Sequence, residues 1–367
     1  MGAVYKPDEL KKNKPAHPVV RMLEQIAGLP LAGLVAVFLS AAGLVWFAGT
    51  RLTHAVDRIA RRFDLGQAFA GMVLLGGITS LPELAAVTTS SATGDASLAV
   101  NNLLGSAAVN VLLLVLADIV FGRDALTGVI GKPATLMQGV LGMMLLALVA
   151  VIVLAGDVDA GGVGAGSVFV LAVSLLMLRL SSRYERRDVW RPVEEADGEE
   201  PQAEDDDGSS LRLLGGVALL GGAILVGGAL LSLTAEGIAS QTGLSTGLVG
   251  FLLVAVATSL PELSSVTEAV RAKRYELAIG DIFGTNLFNL SLLAVADLAS
   301  PDGPVLASTG PFEVIGALTA LLMTGAFVVG LLERRDRTLL RMGYDSVAVI
   351  AIFAAGVSAM AMVMPAG

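Results

Sequence analysis

Residues 76–118 of this 367-residue chain recur at 255–297 with no insertion or deletion. The first copy opens GGITSLPELAAV and the second AVATSLPELSSV, so Thr79, Ser80, Leu81, Pro82, Glu83 and Leu84 return as Thr258, Ser259, Leu260, Pro261, Glu262 and Leu263, 179 residues later. The same offset carries Gly105 onto Gly284, Ser106 onto Thr285, Asn110 onto Asn289 and Asp118 onto Asp297. Internal duplication is therefore the first constraint on the fold.

The duplicated stretches lie in a chain that is 54% hydrophobic and 16% charged, more apolar and less charged than soluble domains. Apolar runs long enough to cross about 30 Å of hydrocarbon recur throughout, at about 29–55, 68–91, 97–121, 134–155, 163–181, 211–235, 246–269, 277–299, 311–332 and 345–364. Lys and Arg follow the odd-numbered spans: Arg58, Arg61 and Arg62; Arg123 and Lys132; Arg183, Arg186, Arg187 and Arg191; Arg271, Lys273 and Arg274; Arg334, Arg335, Arg337 and Arg341. The connections after spans two, four, six and eight hold none. By the positive-inside rule the basic connections are cytoplasmic and both termini external, although Lys6, Lys11, Lys12, Lys14 and Arg21 in the N-terminal tail run against it.

Five spans per copy is an odd number, so the copies cross the membrane in opposite senses. The expected class is an all-α polytopic membrane protein, about ten transmembrane helices as two inverted five-helix repeats. Its parts are a polar N-terminal tail (1–28), a first repeat (29–191, motif 76–118), an acidic cytoplasmic linker (192–210) and a second repeat (211–367, motif 255–297). A short interfacial helix is expected at 18–28, and the linker, EEADGEEPQAEDDDGSS over 194–210, should be disordered. The absence of cysteine excludes disulfides and thiolate chemistry. A net charge of −9 leaves no footprint for nucleic acid.

Glu83 and Glu262 interrupt apolar spans directly after a proline. A charge at the bilayer centre costs about 3 kcal/mol even on lenient scales. Pro82 and Pro261 break the helical ladder and free carbonyls upstream, tolerated at membrane depth only against protein or a polar cavity. Thr79, Ser80 and Glu83 share one helical face, as do Thr258, Ser259 and Glu262. The following spans add polar stripes at four-residue spacing, Asn102, Ser106 and Asn110 in one half and Asp281, Thr285 and Asn289 in the other. Gly105 and Gly284 beside them permit close backbone approach. All these groups offer oxygen, which hard cations prefer. The two histidines, His17 and His54, lie elsewhere, which argues against a transition metal. His54 reads as interfacial; Asp118 and Asp297, like the offset pair Asp57 and Glu236, read as helix-end charges in water.

With TSLPE in both halves followed by GSAAVN and GTNLFN, the sequence resembles the calcium/cation antiporter superfamily, particularly its sodium/calcium exchanger branch. The resemblance implies a central cluster of cation sites occupied in turn by sodium and calcium. Its ligands would be Thr79, Ser80, Glu83, Ser106 and Asn110 with Thr258, Ser259, Glu262, Thr285 and Asn289, aided by carbonyls near Gly76 and Ala255. It also implies that the long first and sixth helices move against the core. Ala107 stands where the family has asparagine, Asn289 where some relatives have aspartate, and Asp281 where asparagine is usual. The expected function is exchange of Ca²⁺ for Na⁺ by alternating access in a prokaryotic cell membrane, with a Ca²⁺/H⁺ exchanger as the alternative and a passive cation channel behind it. No nucleophile–base constellation suggests an enzyme. Expected partners are the lipid bilayer and small inorganic cations, with no cofactor and no nucleic acid.

Overall fold

The computed structural model describes residue 26 and residues 28–62, 76–121, 133–185, 210–273, 275–333, 338–339 and 342–363. The expectations for the N-terminal tail, the 18–28 helix and the acidic linker lie outside them.

Helix α1 (Leu31–Arg62) is followed by a broken helix, α2 (Gly76–Thr79) and α3 (Leu81–Ala92), and then by α4 (Ala96–Phe121), α5 (Pro133–Ala155) and α6 (Ala165–Glu185). The second half repeats the order. Helix α7 (Ser210–Thr242) leads to α8 (Thr246–Val249), a π turn (Gly250–Val254), α9 (Ala255–Thr258) and α10 (Leu260–Arg271). Then come α11 (Tyr275–Ser291), α12 (Leu293–Ala299), a 3₁₀ turn (Val305–Ser308), α13 (Pro311–Glu333) and α14 (Tyr344–Met362). A two-residue antiparallel ladder, Thr338–Leu339 against Met342–Gly343, leads into α14. Among the described residues seven helices are long and apolar enough to cross a membrane, and α8 to α10, bent by 47°, make an eighth. The apolar part of α6, Ala165–Ser181, is shorter. The chain is thus an all-α polytopic membrane protein built from two inverted repeats.

Helix α4 is apolar nearly all round its axis except for the polar stripe, as a helix enclosed by protein must be. It lies centrally with α11 and α12, around a core that includes Leu103, Leu104, Phe251, Phe283 and Phe327. Helices α1 and α7 pack along each other and expose apolar side chains outward, among them Leu39, Trp46, Phe47, Leu219 and Val226. At 32 and 33 residues and about 1.5 Å per residue they exceed the hydrocarbon thickness and must tilt or protrude.

Glycines set how these two helices meet the core. A Cβ at Gly49 of α1 would stand 2.6 Å from Pro261 Cγ, and one at Gly228 of α7 would stand 2.6 Å from the Pro82 carbonyl oxygen. Gly49 and Gly228 are themselves 179 residues apart, so each long helix rests on the proline turn of the opposite repeat. Gly105 does the same for α4: a Cβ there would run into the Phe251 carbonyl oxygen and stand 2.8 Å from Ala255 Cβ. The π turn, which the sequence pattern did not announce, brings that backbone down onto α4. Around Gly284 no described residue comes within 4 Å of a Cβ position, so the expected close approach is seen at Gly105 only.

Candidate cation site

Both motif turns break where the prolines require. Ser80 separates α2 from α3 and Ser259 separates α9 from α10, each in a non-helical conformation with proline in the first turn that follows. A proline lacks the N–H that would reach the carbonyl four residues back, so the released carbonyls are those of Ile78 and Ala257. The Ala255 carbonyl is committed to the turn, accepting from Ser259 N at 3.0 Å and Thr258 Oγ1 at 3.3 Å.

Glu83 and Glu262 are both fully buried, together with Thr79, Ser80, Thr258 and Ser259. The two carboxylates lie within electrostatic reach of each other, and Thr79 of the first turn neighbours Glu262 of the second. Ser106 Oγ donates to Glu83 Oε1 at 3.4 Å and lies 3.4 Å from Thr258 Oγ1, whose single proton has Asn102 Oδ1, also at 3.3 Å, as an alternative acceptor to the Ala255 carbonyl. Hydroxyls of both repeats thus gather around Glu83, Ser106 from its own repeat and Thr258 from the other. Asn110 Nδ2 donates to Asn286 Oδ1 at 2.8 Å, and Asn286 Nδ2 donates to the Ala107 carbonyl at 3.2 Å. That brace leaves Asn110 Oδ1 unengaged, alongside Ser80 Oγ, Glu83 Oε2, Ser259 Oγ, both Glu262 oxygens, Thr285 Oγ1 and the amide of Asn289. Buried polar atoms are nearly always paired, so this concentration in one place marks a site.

Asp281 lies one turn before Thr285, half-buried, and accepts from Ser265 Oγ at 2.6 Å. Its charge reaches Glu262. In the first half the same positions hold Asn102 and Ala86. The structure therefore brings Thr79, Glu83, Asn102 and Ser106 of one half to Thr258, Glu262 and Asp281 of the other, and Asn110 to Asn286. Ser80, Ser259, Thr285 and Asn289 are buried with unengaged side chains, while Gly76 stands at the start of α2 and Ala255 contributes a carbonyl already in use.

Some residues escaped the motif reading. Asn286 braces Asn110 from the opposite repeat; its signal was an extra amide directly after Thr285. Buried Glu313, in the first turn of α13, accepts from Ser97 Oγ at 2.7 Å, Asn101 Nδ2 at 2.8 Å and Gly310 N at 2.8 Å. Its signal was a lone acid at the end of an apolar span. Nearby Asp95 accepts from Leu98 N and Thr246 Oγ1. Burial pushes its carboxyl above the ordinary aspartate range, those two bonds draw it back, and the Glu313 charge adds to the rise.

The expectation for Asp118 and Asp297 is corrected. They are not helix-end charges in water but are 2% and 1% exposed, each accepting hydrogen bonds from main-chain amides. Glu236 is half-buried beside Asp95 and Thr93, and the Asp57 side chain lies outside the described residues. His54 is half-exposed at 3.3 Å from Glu268, as an interfacial residue would be.

The family model of the sodium/calcium exchanger protein matches residues 33–183 and again 212–362. The chain belongs to the sodium/calcium exchanger family. Inner membrane protein YrbG of Escherichia coli strain K12 is 30% identical over 68% of this chain and 74% of its own length. The putative antiporter CaxA of Alkalimonas amylolytica is 28% identical over 80% of this chain and 89% of its own. A solved structure of the sodium-calcium exchanger NCX_Mj, soaked with Na⁺ and Sr²⁺, covers 90% of this chain and 99% of its own with a TM-score of 0.59. At 19% identity that likeness is one of fold. Membership makes the chain an integral membrane protein of a cation-exchanging family, with the motif turns at corresponding places in the two matched segments.

Proposed function

We propose that the chain is a secondary antiporter exchanging Ca²⁺ for Na⁺ by alternating access. The supporting observation is the pair of buried carboxylates, one from each repeat, set among unengaged hydroxyl and amide oxygens. Segments 76–121, 246–270 and 275–299 contain no Lys, Arg or His to neutralise them. Two carboxylates balance one divalent ion, and roughly six to eight oxygens complete the shell of Ca²⁺. The ligands would be Glu83, Glu262, Thr79, Ser80, Thr258, Ser259, Ser106, Asn110, Thr285 and Asn289, with Asp281 near the inner end and carbonyls of the two turns. Na⁺ uses the same oxygens with less charge, so the ions compete, and competition couples them when α1 and α7 move over the proline turns only with the site correctly filled.

The reading includes the domain division given above, external termini, a cytoplasmic linker over 192–210 and residence in a prokaryotic cell membrane. It makes the chain a transporter, not an enzyme. One observation favours a second reading. Asp281 is a third carboxylate in reach of Glu262, and a third negative charge beside one divalent ion invites a proton as the counter-ion.

The test is ⁴⁵Ca²⁺ uptake into proteoliposomes under imposed Na⁺, K⁺ or H⁺ gradients. Uptake driven by outward Na⁺ is expected, and Glu83→Gln and Glu262→Gln should each reduce it to background. Wild-type rates in both variants would sink the assignment. Uptake driven by a pH step without Na⁺ would move it to Ca²⁺/H⁺ exchange, and flux without countertransport to a channel.

A further inference from the structure

The aspartates that end the duplicated stretches make a reciprocal contact. Gly164 N donates to Asp297 Oδ2 at 2.7 Å, and Gly343 N donates to Asp118 Oδ2 at 3.2 Å. Gly164 and Gly343 are 179 residues apart, as are Asp118 and Asp297. Each bond crosses from one repeat to the other. The hydroxyls follow in part: Ser346 Oγ donates to Asp118 Oδ2 at 2.8 Å, while its counterpart Ser167 stands beside Asp297 without closing a hydrogen bond. The local backbone is duplicated too, since Asp159 bridges Gly164 as Thr338 bridges Gly343, a tight hairpin just before α6 and α14. Asp297 additionally accepts from Val305 N at 2.7 Å.

The chemistry is helix capping supplied at a distance. The first amides of a helix lack intrahelical partners, and a carboxylate satisfies them while favouring the positive end of the dipole. Local caps do this with a residue of the same helix. Here each cap comes from the end of the stripe-bearing helix of the opposite repeat. Asp118 lies two turns beyond Asn110 on α4, and Asp297 two turns beyond Asn289 on α12, which continues the line of α11. Fixing Asp118 and Asp297 fixes the rotation and height of the two polar stripes against outer helices that carry none of the proposed ligands.

We propose that Asp118 and Asp297 are positioning residues, a pair of reciprocal clasps that hold both ligand stripes in one rigid frame while α1 and α7 move. The inference rests on the reading of the central site as a cation site and deepens it. The clasps touch no ion; they act through Ser106 and Asn110 on one side and through Thr285 and Asn289 on the other.

The test uses the full chain, whose lack of cysteine allows clean labelling. Cysteines replacing exposed Leu116 on α4 and Leu277 on α11 take spin labels, and their distance distribution is read by double electron–electron resonance. Asp118→Asn with Asp297→Asn should broaden the distribution at least twofold in width and raise the Ca²⁺ half-saturation of uptake about tenfold at little-changed maximal rate. Ser346→Ala, a milder variant that keeps the carboxylate, should move both in the same direction by about twofold, and stands in if the double variant fails to fold. An unchanged distribution in a folded clasp variant overturns the proposal, whichever ion the protein carries. A broadened one with unchanged half-saturation also overturns it, reducing the clasps to stabilisers. A parent protein that moves no Ca²⁺, with a clasp variant whose distribution is unchanged, fails on both counts, whereas a broadened clasp variant of a parent that moves another cation supports the clasps and rejects only the Ca²⁺ reading.

Discussion

The periphery of the molecule obeys the two-fold of its sequence and the centre does not. Gly49 on Pro261 is answered by Gly228 on Pro82, and Gly164 on Asp297 by Gly343 on Asp118. At the site, the Thr258 hydroxyl stands beside Glu83 and the Thr79 hydroxyl beside Glu262, but Ser106 adds a donor to Glu83 that its counterpart Thr285 does not give Glu262. Asp281 and Ser265 stand where the first half has Asn102 and Ala86, and Asn286 where it has Ala107. On the proposed alternating access, contacts that shape the frame stay alike because both faces of the membrane are sealed and opened by the same motion. Contacts that would meet the ion are free to diverge, since a single ion would see both halves at once.

The largest effects expected are at the carboxylates. Glu83→Gln and Glu262→Gln should each cut Na⁺-driven Ca²⁺ uptake by at least about a hundredfold, because truncating charge in a buried site costs several kcal/mol. They should part company in stability. Buried like charges repel each other, and Glu262 has both Glu83 and Asp281 within reach but no donor matching Ser106. In detergent without Na⁺ or Ca²⁺, Glu262→Gln should melt several degrees above the parent and Glu83→Gln close to it. Equal melting temperatures would erase the asymmetry between the two turns.

The frame should answer symmetrically. Gly49→Ala and Gly228→Ala each push a methyl group to within 2.6 Å of the facing proline residue, an overpacking worth about 1–3 kcal/mol. Turnover should fall by a similar factor in both, on the order of tenfold to thirtyfold, with Ca²⁺ half-saturation little moved. A large loss in only one of the two would mean that α1 and α7 do not play matching parts.

How much of this was legible in the sequence follows from the same division. The duplicated TSLPE turns and the long first and sixth spans declared the architecture, because helix breaks and span length are local properties of composition. The stripes Asn102–Ser106–Asn110 and Asp281–Thr285–Asn289 were legible because helical spacing places them on one face. The partnerships were not. Asp118 reads as solvated because nothing near it in sequence shows Gly343 and Ser346 arriving from 225 and 228 residues away. The π turn at Gly250–Val254 has no local breaker beyond one glycine, being set by the fit of Phe251 and Ala255 onto Gly105. Asn286 announced an amide but not that it would brace Asn110 across the pseudo-axis.

A smaller effect belongs to Asp281. One unit charge at roughly 10 Å and an effective dielectric constant of about 20 is worth about 1.7 kcal/mol. Asp281→Asn should therefore raise Ca²⁺ half-saturation about tenfold, and Asn102→Asp, which places an acid at the matching position of the first half, should lower it. If the counter-ion is a proton instead, Asp281→Asn should abolish the response to a pH step and leave Ca²⁺ binding by calorimetry nearly intact. The variant thus separates the two exchange readings by which property it removes.

The smallest expected effect comes from the amide brace, a buried hydrogen bond worth about 1 kcal/mol. Asn286→Ala should release Asn110, let its amide turn either end toward the ion, and raise Ca²⁺ half-saturation roughly threefold to fivefold. Combining it with Ala107→Asn moves the brace to the other half, where the new side chain stands at the position matching Asn286 and meets Asn289, whose amide is unengaged in this structure. Recovery toward the parent half-saturation would mean that the site needs one oriented amide oxygen from either repeat. If only Asn286 works, the requirement is for Asn110 in particular, and the divergence at position 107 is then a fixed feature of how the two halves share one ion.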